Sequence, residues 1–141
     1  MKNISKFLMI FLLPLCSFVF GVDCIVDQNY PYNLNQEPSD LAFTEDGTPI
    51  RPEIMDCVSY VGQYSIIKIM PGLYNETVDL SGRFDIDLIG SGISNTIISG
   101  GEAFTVSLGN QCSISNLKVT TRNNQQCEYL IYAEANNFNI D

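Results

Sequence analysis

Ile67-Lys68-Ile69-Met70-Pro71-Gly72-Leu73-Tyr74-Asn75-Glu76-Thr77-Val78-Asp79-Leu80 is the stretch on which the fold turns. Apolar and polar residues alternate through Ile67 and Ile69, and again through Val78 and Leu80, the period of strands with one buried face. Between the two runs stands Pro71, which has no N–H to continue a ladder, followed by Gly72, which permits a turn. Tyr74 is expected to pack its ring at the corner with its hydroxyl in solvent. Glu76 is expected to bond backbone at the bend. Pro71, Gly72, Tyr74 and Glu76 therefore read as a structural motif rather than as catalytic groups.

Short β-rich runs separated by Gly, Asn and Ser continue from about Gln63 to the last residue: 65–69, 76–80, 85–89, 96–98, 103–108, 112–119, 129–132 and 138–140. Ile67, Ile69, Val78, Leu80, Ile86, Leu88, Val106, Leu117 and Val119 form the inward set. Such strands also suit an antiparallel sandwich or barrel. Hairpin signals are weak, however, because this region holds no Asn-Gly or Asp-Gly pair, and Gly90-Ser91-Gly92 and Ser99-Gly100-Gly101 read as corners. Similar strands return at Ile86-Asp87-Leu88, at Ile114 to Val119 and at Phe138-Asn139-Ile140. A period in the twenties points to a solenoid.

The motif, with Ile86-Asp87-Leu88-Ile89-Gly90-Ser91-Gly92 and Asn95-Thr96-Ile97-Ile98-Ser99-Gly100 after it, resembles the first coil of pectin-lyase-like proteins, most visibly pectin methylesterases. The resemblance is carried by P-G-x-Y-x-E, G-x-G and T-I-I-x-G, covers Ser65 to Gly100 well and the remainder loosely, and implies an all-β, right-handed parallel β-helix. Catalytic residues of pectin methylesterases lie in later coils, as paired aspartates with glutamines and an arginine, and none is matched here. Asp85-Ile86-Asp87-Leu88-Ile89-Gly90 echoes one aspartate motif of that family but falls too soon after the first coil. It is better placed as an ordinary second-coil strand. The calcium-binding aspartates and catalytic arginine of pectate lyases have no matched positions either.

Upstream, Val22 to about Gln63 is broken repeatedly by Asn, Pro, Asp and Glu and reads mostly as loop. The exception is a short amphipathic helix at Pro52 to Tyr60, where Ile54, Cys57, Val58 and Val61 recur at helical spacing. By the resemblance this region caps the first coil. Before it, Lys2 and Lys6, an apolar run from Phe7 to Phe20 and the small-residue pair Val19 and Gly21 form a secretory signal peptide with cleavage expected after Gly21. The run is shorter than the roughly 20 residues of a membrane-spanning helix. A lipid anchor at Cys16 is disfavoured by Leu15 before it. The expected division is 1–21 signal peptide, 22–63 cap and 64–141 first coils.

Cleavage leaves 120 of the 141 residues, one domain by size, and five of the seven basic residues against all 16 acidic ones. Arg51, Lys68, Arg83, Lys118 and Arg122 are scattered singly, so no nucleic-acid surface is expected. Four cysteines remain, and an even count in a secreted chain favours disulfides, of three possible connectivities. Pairing Cys24 with Cys57 and Cys112 with Cys127 closes the most local loops. Without histidine or C-x-x-C, zinc and a Ser-His-Asp triad are not expected. Asn75-Glu76-Thr77 is a sequon that a eukaryotic secretory pathway would glycosylate.

Asp85 and Asp87 lie two apart and should point the same way, a geometry suited to calcium, yet calcium takes 6–8 oxygen ligands. A solvated face is the expectation. Tyr74, Tyr129 and Tyr132 suit a sugar-stacking surface, with ordinary strand packing the simpler reading. The last residues fall within a fresh strand, which suggests the N-terminal part of a longer protein. The expectation is a secreted or cell-surface β-helix module without catalytic residues or cofactor, contacting polysaccharide or matrix. The alternative is a fragment of a pectinesterase or polysaccharide-lyase-type enzyme whose active coils lie beyond residue 141.

Overall fold

The computed structural model describes residues 21–30, 42–101, 103–122, 128–133 and 139–141. Among the described residues the first elements are strands β1 (Cys24–Val26), β2 (Ala42–Phe43) and β3 (Pro49–Arg51) and a helix, α1 (Ile54–Tyr60). Three strands per turn follow: β4 (Ser65–Ile69), β5 (Gly72–Tyr74) and β6 (Val78–Asp79); then β7 (Ile86–Ile89), β8 (Thr96–Gly100) and β9 (Phe104–Leu108). The third coil is β10 (Ser113–Ser115), β11 (Lys118–Thr121) and β12 (Tyr129–Ala133), and β13 (Asn139–Ile140) opens the next.

The strands stack as three faces of a parallel β-helix, β13-β10-β7-β4-β1-β3-β2, β11-β8-β5 and β12-β9-β6. Among the described residues only the β2–β3 pairing is antiparallel. Register places Ile66 beside Asp87, Asp87 beside Ser113 and Ser113 beside Asn139, so successive rungs advance by 21, 26 and 26 residues. The period in the twenties is thus the length of a coil, made irregular by corners of unequal size.

Inside, like residues stack rung on rung. Cys24, Ile67, Leu88 and Ile114 form one ladder of the first face, and Tyr74 with Ile98 and Val78 with Val106 fill the other two. All are buried. Each fully buried Ile or Leu contributes roughly 1.5–3 kcal/mol relative to exposure. Seven of the nine inward residues are fully buried, while Leu117 and Val119 of the third coil are only partly so. Close stacking leaves no room for side chains at some corners: a Cβ on Gly100 would lie 2.4 Å from the Glu76 carbonyl oxygen.

The region read as loop before Gln63 also supplies β1 and β3, which lengthen the first face. Their sequences are too short to signal strands alone; ladder bonds to the first coil set their conformation. Helix α1 begins at Ile54 rather than at Pro52, because Glu53 has extended backbone (φ −119°, ψ 148°) and stands as its N-cap. Cys24 and Cys57 form a disulfide that joins β1 to α1. Arg51 is buried beside the rings of Tyr60 (4.8 Å) and Phe43 (5.9 Å). No described helix is long and apolar enough to cross a membrane.

One conformation recurs. Tyr64, Asp85 and Gln111, at equivalent places before β4, β7 and β10, adopt left-handed φ of 60°, 54° and 59°. A left-handed residue turns the chain sharply from the third face into the first.

Candidate functional site

Pro71 and Met70 make the two-residue corner between β4 and β5, and the strand resumes at Gly72 rather than after Tyr74. Gly72 has no left-handed backbone; a Cβ there would lie 3.2 Å from the Gln28 side chain, so it makes room for the N-terminal segment. The Tyr74 hydroxyl is not in solvent. It donates to the Met70 carbonyl (2.9 Å) and the Val26 carbonyl (3.3 Å), and the residue is 2 % exposed. Glu76 accepts from the Ile54 N–H at Oε1 (2.9 Å) and the Met55 N–H at Oε2 (3.0 Å), satisfying two of the unpaired donors at the start of α1. Glu53, the local N-cap, makes no side-chain cap bond. Burial pushes the Glu76 carboxyl above its ordinary value; the two N–H bonds oppose this, and Glu53 and Asp56 add repulsion. The motif latches the N-terminal elements to the first coil.

The open surface is the outer side of the first face. Alternation in β4, β7 and β10 turns Ile66, Asp87 and Ser113 outward in one row and Ile25, Lys68, Ile89 and Ser115 in the next. Ser113 Oγ donates to Asp87 Oδ1. The turn between β2 and β3 rises beside the second row and bounds a groove of about 530 Å³ lined by Val22, Ile25, Thr44, Asp46, Thr48 and Lys68. Asp46 shapes that turn by accepting from Thr44 Oγ1 and from the Thr48 N–H (3.2 Å), bonds that hold its carboxyl below the ordinary value. Ionised, hydroxyl and ammonium groups at rungs about 4.8 Å apart can exchange hydrogen bonds with a polyhydroxylated chain. Two signals could have found this site: the polar positions of the period-2 strands, and the coil length that stacks them.

Asp85 and Asp87 are not a pair on one strand. Asp85 occupies the left-handed corner before β7, where two-residue alternation does not carry through, and only Asp87 belongs to the outward row. Among the described residues no group of three or more His, Cys, Asp or Glu side chains could hold a metal ion. The three tyrosines do not share a surface either. Tyr74 is buried on the second face, while Tyr129 and Tyr132 cluster on the third, 5.5 Å apart, with Phe104 stacked 6.4 Å from Tyr132. Asn75 is exposed, and the Thr77 hydroxyl of its sequon accepts from the Gly101 N–H (3.0 Å). Cys112 is a buried free thiol among the described residues, and Cys127, expected as its partner, lies outside them.

No family model and no curated protein matches the chain. Among solved structures it is similar to a pectin methylesterase mutant in complex with a hexasaccharide, with a TM-score of 0.52 and 17% sequence identity over 70% of this chain. The chain spans about 30% of that protein's length. Stacked rungs, an N-terminal latch and this likeness agree: the chain has the pectin-lyase-like parallel β-helix fold.

Proposed function

We propose that this chain is the N-terminal part of a secreted or cell-surface β-helix protein, with residues 1–21 as signal peptide, 22–63 as cap and 64–141 as first coils. In this reading it contacts polysaccharide without catalysing a reaction. The observation that carries it is the outward row on the first face, where Asp87 and Ser113 stand on adjacent rungs beside Lys68, next to an open groove. Polysaccharides repeat along their length as solenoid rungs do, so one chain can meet several rungs together. The Cys24–Cys57 disulfide suits an oxidising compartment.

Isothermal titration of the chain against a panel of soluble plant and microbial glycans tests this reading. Binding to at least one is expected, weakened about tenfold or more by D87A, since hydrogen bonds to charged groups contribute roughly 1.5–3 kcal/mol. Binding to none, or binding indifferent to D87A, would sink it. The second reading, a fragment of a pectinesterase-type enzyme, is favoured by the likeness to pectin methylesterase, of which this chain spans less than a third. Coding sequence beyond Asp141 decides between them, because the enzyme needs paired aspartates and an arginine on later rungs.

A further inference from the structure

The groove at the first rungs has an unusual wall: Gly21 and Val22, the two residues on either side of the expected cleavage point, both line it. Val22 is held there by its neighbour. The Asp23 N–H donates to the Ile66 carbonyl (2.8 Å), and Asp23 Oδ2 accepts from the Ile66 N–H (2.8 Å), fixing the backbone just beyond Val22 on the edge of β4. Glu45 and Asp46 line the same groove, with Lys68 the cation of the lining. In the uncleaved chain the Val22 nitrogen is a neutral amide. Hydrolysis of the Gly21–Val22 bond consumes one water, leaves a carboxylate on the departing Gly21 and gives Val22 an ammonium group.

We propose that this groove seats the mature N-terminus: maturation places the Val22 ammonium among Glu45 and Asp46, ties the β2–β3 turn to the first face and neutralises the groove. The proposal rests on the secretion reading and shares Lys68 and the groove with the glycan-binding reading. The charged groups facing the ammonium are Glu45 and Asp46 from the turn, Lys68 from β4 and Asp23 from its own segment. Hydrogen bonds from Thr44 and Thr48 hold the Asp46 carboxyl below its ordinary value. Ordinary α-amino groups titrate near about 7.7–8.0, and a net anionic surrounding raises that value. A raised folded-state value means that the stabilisation is complete below the ordinary value and is lost as pH rises through the raised one.

The test uses protein secreted from cells expressing the full chain. Intact mass and N-terminal sequencing should give Val22 as the first residue. Thermal melts from pH 6 to 10 should then show a loss of at least about 2 °C for this chain that is missing from an Nα-acetylated chain and from E45Q/D46N. Asn at position 46 keeps an oxygen for Thr44 and Thr48, so the turn is preserved in that variant. A different first residue, or parallel melting of all three proteins, would overturn the proposal. Glycan titration of the same samples separates this failure from failure of the binding reading.

Discussion

The first coil and the third are built on the same plan and differ in how firmly they are held. Around the first, α1 packs on β1, β3, β4 and β6, the Cys24–Cys57 disulfide ties helix to sheet, and Tyr74 and Glu76 bond backbone of the N-terminal segment. Ile54, Cys57, Val58, Ile67 and Ile69 are fully buried as a result. In the third coil Leu117, Val119, Ile131 and Ala133 are only partly buried. A solenoid coil draws its burial from its neighbours. The contrast teaches that the sequence motif marks the place where foreign elements substitute for a missing preceding coil.

Removing the staple should have the largest effect on that difference. With the cysteines 33 positions apart in sequence, loop-closure entropy gives about 3–4 kcal/mol for C24A/C57A, measured by chemical denaturation. Hydrogen exchange should place the loss in β1 and α1 rather than in the third coil. Uniform deprotection would break the comparison. E76A comes next, at about 2 kcal/mol, because two helix N–H groups lose a partly buried acceptor.

Acidity sharpens the same point. The raised Glu76 value means that the folded state holds more protons than the unfolded one between the ordinary carboxylate value and the raised one. The contribution of this group is therefore fully present below that window and declines as pH rises through it. Melts from pH 4 to 7 should slope less steeply for E76Q than for the native chain, and identical slopes would remove Glu76 from the account. V119A is the smallest effect expected, under about 1 kcal/mol, since its side chain is only partly buried. A loss comparable to that of a fully buried residue would show the third coil to be as tightly held as the first.

The strands, their inward faces and the coil length were legible because period-2 alternation and rung stacking are written locally. Ile67, Ile69, Val78 and Leu88 needed only their neighbours to be placed. What escaped depends on distant partners. Glu76 meets a helix more than 20 residues upstream, β1 and β3 are strands only because the first face offers them an edge, and Tyr74 looked half-wet until Val26 covered it. For the site, Asp87 was legible as an outward residue, but its pairing with Ser113 required the coil length of 26. Asp85 misled because a left-handed corner resets the direction in which side chains point.

That corner also bears on how the molecule tolerates change. Between the first and second coils the register offset is 21 on the first face, 24 on the second and 28 on the third, and returns to 26 at the next rung of the first face. From the second coil to the third it runs 26, 21, 25 and back to 26. Length thus varies by three to five residues at two corners and by at most two at the corner holding Tyr64, Asp85 and Gln111. Insertions have two places to accumulate, while the third works as a fixed hinge pin that returns each new coil to the groove-bearing face in step.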